Sequence, residues 1–202
     1  MKKTITVLLL AAGMLSASTI TFGTGVPGTI EGNSYNGVNV ATIPASVWHI
    51  PLGTSVWESI QTDSLNPAIP NGEVVDFWFS FTLDGAPLSG SLGLLVDDSA
   101  RVFVNGYILA DNLGSPQGVN CAASKPNCLQ PLSLTIPTAD LQLGLNRMDV
   151  FVSQDGGGQY GIDAFGSVET TPEPAGLILV GMGMLGLGLV RRRSLTIQIK
   201  GQ

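Results

Sequence analysis

Residues 74–83 alternate between apolar and polar: Phe77, Phe79, Phe81 and Leu83 fall on one face, Asp76, Trp78, Ser80 and Thr82 on the other. A period of two marks a strand with one buried face, and Asp84-Gly85 ends it in a turn. Leu92–Val96 is a short apolar run that fits a buried strand. Residues 101–109 hold two β-rich runs around Asn105-Gly106, a pair that tolerates positive φ at both centres of a tight hairpin. Leu132–Ile136, Arg147–Ser153 and Tyr160–Val168 supply three more strands. Residues 19 to about 45, rich in Gly, Thr, Asn and Pro, predict an irregular lead-in with one edge strand. No stretch between 19 and 170 sustains a helical period. The pattern predicts an all-β fold, a jelly-roll-like antiparallel β-sandwich of about eight strands within residues 19–170.

The two ends follow a different pattern. Met1-Lys2-Lys3 is basic, residues 5–15 are apolar apart from Thr6 and Gly13, and Ser16-Ala17-Ser18 are small. That is the layout of a secretory signal helix over residues 1–18, cleaved near Ala17 or Ser18 and too short to span a bilayer comfortably. At the other end Thr171-Pro172-Glu173-Pro174 leads into uncharged residues 175–190 and then Arg191-Arg192-Arg193. A helix over 175–190 rises about 24 Å, and the arginines can snorkel to make up the deficit for a transmembrane span. The positive-inside rule then puts both basic clusters, and the tail 194–202, on the cytoplasmic side.

Charge sharpens this picture. The formal net charge is −6, yet only Arg101, Lys125 and Arg147 of the nine bases lie between residues 18 and 170. Fourteen of the fifteen acids lie there too, so the body carries −11. Phosphate backbones and anionic lipid headgroups repel such a body, which excludes nucleic acid as a partner and leaves neutral glycans or a divalent cation.

The C-terminal layout of Pro172-Glu173-Pro174, apolar helix and Arg191 to Arg193 resembles the PEP-CTERM sorting signal, over residues 171–193. The resemblance implies a substrate of an exosortase, a membrane-embedded cysteine protease of Gram-negative bacteria that make exopolysaccharide. It further implies export through the secretion machinery and signal peptidase, a transient inner-membrane anchor, and a final place at the cell surface or in a biofilm matrix. The tail Ser194–Gln202 runs longer past the arginines than is usual in that family. Gly181-Met182-Gly183-Met184-Leu185-Gly186 matches a dinucleotide-binding spacing, but it sits inside the apolar run without a preceding strand. A second resemblance rests on residues 97–106, ending in Asn105-Gly106, and on Leu143-Gly144-Leu145-Asn146-Arg147-Met148-Asp149-Val150. It is similar to the galactose-binding-type jelly rolls found beside glycoside hydrolase catalytic domains, many of which bind glycans and some of which are spacers.

Few residues are candidates for chemistry. Cys121 and Cys128 enclose a polar loop and, in an oxidising compartment, read as a disulfide worth about 2.5 kcal/mol. His49 is the only histidine and has no nucleophile motif beside it, so it reads as structural. Asp97 and Asp98 would point to opposite faces of a strand. As a loop pair they can ligate a structural Ca²⁺, the one cofactor the chain suggests, although a solvated turn is the plainer reading. Trp48, Trp57 and Trp78 are the possible sugar platforms, although tryptophans in small β domains are more often core. Trp78, opposite the phenylalanine face, is the candidate sugar platform, with Asp76, Ser80 and Thr82 supplying hydrogen bonds. No catalytic residue is nominated, because glycan hydrolysis needs a carboxylate pair across a cleft. The sequence therefore predicts a non-enzymatic, exported protein whose sandwich contacts exopolysaccharide, or else a purely structural or adhesive module.

Overall fold

A computed structural model describes residues 17–42, 48–60, 69–114, 122, 125–155, 159–172, 181, 183 and 184. The chain divides into two units, Thr19–Thr170 and the terminal segments Met1–Ser18 with Thr171–Gln202. The described part of the first unit is all-β. Its strands are β1 Ser18–Gly23, β2 Ile30–Asn33, β3 Val40–Ala41, β4 Glu58–Ser59, β5 Val74–Leu83 and β6 Pro87–Asp97. There follow β7 Ser99–Val104, β8 Tyr107–Asp111, β9 Leu132–Thr135, β10 Gly144–Ser153 and β11 Gly161–Thr170. Two antiparallel sheets face each other like a sandwich. One has the order β3-β4-β11-β6-β9, with β1 also paired to β11; the other is β2-β5-β10-β7-β8.

The alternation in β5 sets the interior. Val75, Phe77, Phe79, Phe81 and Leu83 are all buried, and β10 adds Met148, Val150 and Val152 from the same sheet. The opposite sheet contributes Leu92, Leu94, Val96, Ile162, Ala164 and Val168. Phe22 from β1 stacks on Phe81 at 4.0 Å. It lies over Gly166, where an added Cβ would stand 2.2 Å from the Phe22 ring, so β11 can carry nothing larger there. Asn105 and Gly106 adopt φ of 49° and 85° and close the β7–β8 hairpin as the sequence predicts.

Three features depart from expectation. The lead-in holds β1, β2 and β3 rather than one edge strand, and β4 carries no sequence signal at two residues long; eleven strands result among the described residues. The run at 92–96 extends to Pro87–Asp97, because its earlier outward positions are Ser89, Ser91 and Gly93 rather than apolar. Trp48 and Trp57 are core, but of a second cluster with Leu95, Cys128 and Leu52. Leu95 alternates outward from the sandwich interior, so segment 48–57 covers this side of β6. Two buried carboxylates pin that cover: Trp48 Nε1 donates to Asp97 Oδ2 at 2.8 Å, and the Leu52 amide donates to Asp163 Oδ2 at 2.8 Å.

The expected signal peptide up to residue 16, Glu173 and Pro174, Arg191 to Arg193 and the tail 194–202 lie outside the described residues. Of the expected helix 175–190, Gly181, Gly183 and Met184 are described and helical. Among the described residues no helix is long and apolar enough to cross a membrane.

Candidate functional site

The outer face of the five-stranded sheet collects the side chains that alternate out of the core. From β5 come Asp76, Trp78, Ser80 and Thr82, the first three half-buried and Thr82 exposed. From β10 come Arg147, Asp149 and Phe151, and from β7 Arg101 and Phe103. Register sets Trp78 beside Asp149 and Asp149 beside Phe103; one step along, Asp76 stands beside Phe151 and Phe151 beside Arg101. Phe103 and Phe151 meet edge to face, centroids 5.6 Å apart at 83°, an orientation that ring quadrupoles favour. With Gly106, Arg147 and Asp149 they line an open depression of about 420 Å³.

Arg147 is held from three sides. Its Nε donates to Asp149 Oδ1 at 2.6 Å, an Nη lies 3.6 Å from Asp76 Oδ2, and the guanidinium sits 5.1 Å above the Trp78 ring. The indole reaches across Gly32 of β2, where a Cβ would meet Trp78 Cζ2 at 2.5 Å. Trp78 therefore lies between the Gly32 backbone and Arg147, and borders the depression instead of lining it. Burial pushes the Asp76 carboxyl up to about 6, the Asp149 carboxylate adds to the push, and Arg147 opposes it. Asp76 Oδ1 is buried without a hydrogen-bond partner. Further along, Arg101 and Asp111 form an ion pair at 2.9 Å, which holds the exposed Asp111 carboxyl below its usual range.

The two asparagine motifs singled out in the sequence meet behind this face. Asn105 Nδ2 donates to Asn146 Oδ1 and to the Asp140 carbonyl, each at 2.8 Å. Its Oδ1 accepts the Arg147 amide at 2.9 Å. Asn146, fully buried, also accepts the Gln142 amide and donates to the Gln142 and Gly144 carbonyls. They fix the hairpin tip at Gly106 and the backbone of Arg147, which are two borders of the depression.

Asp97 and Asp98 are buried at 4% and 5% exposure, which corrects the reading of a solvated turn. Asp98 alone connects β6 in one sheet to β7 in the other, so the pair sits inside the sandwich margin. Burial, with the neighbouring Asp98 carboxyl, raises Asp97 to about 9. Asp98 Oδ2 accepts the Asp155 amide at 2.8 Å. Among the described residues no group of three or more His, Cys, Asp or Glu side chains could hold a metal ion, so the Ca²⁺ candidate gathers no ligand set. His49 pins segment 48–57 through its backbone: its amide donates to the Cys128 carbonyl and its carbonyl accepts from Trp57 Nε1. Cys128 is fully buried, and Cys121 lies outside the described residues.

A second acidic pair carries no signal in the sequence pattern. Glu31 of β2 and Glu58 of β4 approach each other from opposite sheets, and Glu58 is only 3% exposed. Burial and then the Glu31 carboxylate push Glu58 up to about 8, and Glu31 is raised as well.

No protein-family model and no curated protein matches the chain. Among solved structures it is similar to BpGH86A, a beta-porphyranase of glycoside hydrolase family 86 from the human gut bacterium Bacteroides plebeius. The identity is 13% and the TM-score 0.35, over 78% of this chain and 21% of that one. The chain thus spans about a fifth of that enzyme's length, and a likeness this slight carries no argument about activity.

Proposed function

We propose that this chain is an exported, exosortase-processed surface or matrix protein whose jelly-roll sandwich contacts exopolysaccharide without cleaving it. The depression beside Phe103 and Phe151 carries this reading. A sugar ring presents an apolar C–H face that can lie on an aromatic ring, while its hydroxyls seek acceptors such as Asp149 and Asp76. Trp78 serves that site by supporting Arg147, and Ser80 and Thr82 extend the polar border. Arg147 stands between Asp149 and Asp76 and bonds to the former. A hydrolase would need two such carboxylates free to flank a glycosidic bond, so binding fits this geometry better than turnover.

Sorting rests on the C-terminal residues. The last strand ends at Thr170 and Pro172 follows in non-helical backbone. Proline keeps the approach to Glu173 extended, a form in which a membrane protease can engage it. A Cys121–Cys128 bridge formed after export would close the loop beside the second core cluster.

The glycan reading is tested with the mature protein purified from its host and the exopolysaccharide of that host. Phe103→Leu and Phe151→Leu keep apolar volume but remove the ring faces. Each should weaken binding by about 1–3 kcal/mol with unfolding midpoints close to wild type. Unchanged affinity in both would leave the structural or adhesive module as the better account.

A further inference from the structure

We infer that this face takes a neutral polysaccharide, bound along an internal stretch of its chain that runs across the strands. This ligand class presupposes the glycan-contact reading above and adds the charge, length and direction of what is bound.

Both arginines of the face are already engaged, Arg147 by Asp149 and Asp76 and Arg101 by Asp111. Two cations against three carboxylates leave a negative surplus, in a body that carries −11 over residues 18–170. A uronate or sulfated sugar would find no free cation among these residues and would meet repulsion. Two buried polar atoms of this face lack a partner, Asp76 Oδ1, an acceptor, and Arg101 Nε, a donor, so the charge balance and not the unpaired atoms selects the ligand.

Length and direction follow from the register. Trp78, Asp149, Phe103 and Ile108 stand side by side on four consecutive strands. Neighbouring strands lie about 4.8 Å apart, so this row reaches roughly 15 Å across the sheet. Apolar side chains recur along it with a carboxylate between, and the next row repeats the mixture as Asp76, Phe151, Arg101 and Asp111. One sugar ring cannot cover such a strip, whereas several linked sugars with alternating apolar faces and hydroxyl edges can. Ile108 at the β8 edge is 56% exposed, so the row ends open and a chain can continue past it.

The test titrates the mature protein from its host with neutral oligosaccharides of two to six residues. These are built from glucose, galactose, mannose or xylose, and alginate and polygalacturonate serve as uronate polymers. In at least one neutral series affinity should rise about ten-fold or more from disaccharide to hexasaccharide, with no binding of either uronate polymer. Ile108→Ser, at an exposed position, should weaken hexasaccharide binding several-fold and leave the disaccharide unaffected. Asp149→Asn, which releases Arg147, should let alginate bind. Wild-type binding of alginate, equal affinity for short and long neutral sugars, or an indifferent Ile108→Ser would each overturn this ligand class alone. Failure of every glycan to bind would overturn it together with the reading beneath it.

Discussion

Arg147 shows how one residue acquires its role from three neighbours. Its exposed guanidinium would be a mobile surface charge without the Trp78 ring, Asp149 and Asp76 to hold it, and loose surface pairs contribute little. Glu58 is the opposite case, a buried carboxyl with an acidic neighbour and a pKa of about 8. In the unfolded chain it titrates near its ordinary value of 4.5. The folded protein therefore binds more protons than the unfolded chain between about pH 4.5 and 8, so stability falls as pH rises through that window. Glu58→Gln should flatten this slope and make the protein more stable than wild type above pH 8, on the order of 1–2 kcal/mol. Chemical denaturation from pH 5 to 9 measures it, and a variant whose slope parallels wild type would show that Glu58 is not the group responsible. Asp97, raised to about 9, adds a slope of the same sign that Glu58→Gln leaves in place.

At the scale of elements, legibility followed the reach of each signal along the chain. β5 was readable to the residue because one of its faces is wholly buried and the other is not. The β7–β8 hairpin was readable because the Asn105-Gly106 turn carries its own conformational signature. β4 was not, because two residues hold no period, and neither was the crossing at Asp98, since local pattern does not say which sheet a strand joins. The candidate site was half legible. Trp78 and Asp76 stood out within one strand, but Phe103, Phe151 and Arg147 join them only through pairing across β5, β10 and β7. Asn105→Ala tests how far the hairpin holds this arrangement. It removes the side-chain bonds to Asn146, Asp140 and Arg147 and places a less tolerant residue at positive φ. The expected loss is about 2–3 kcal/mol in urea unfolding, with weaker glycan binding at temperatures where the variant is still folded. A loss below about 0.5 kcal/mol would mean that the turn is held by other contacts.

On the scale of the whole molecule, an acidic sandwich lies between the two terminal segments on which the proposed export and sorting rest. β11 pairs with β1, β4 and β6, so the six-stranded sheet cannot be completed until the chain has passed Thr170, just before the proposed sorting motif. Replacing Pro172-Glu173-Pro174 with alanines should leave a full-length, membrane-held form in a host that has an exosortase. Fractionation and mass spectrometry would show it, and normal maturation of that variant would remove the sorting assignment.

The central claim is that exopolysaccharide is held on the outer face of the five-stranded sheet, and a residue-resolved binding footprint tests it most directly. Backbone and side-chain NMR signals of the mature protein, followed during addition of the host polysaccharide, should shift at Phe103, Gly106, Arg147, Asp149 and Phe151. Signals of segment 48–57 on the opposite sheet should stay in place. Shifts confined to that segment, or no localised shifts at saturating polysaccharide, would contradict the account.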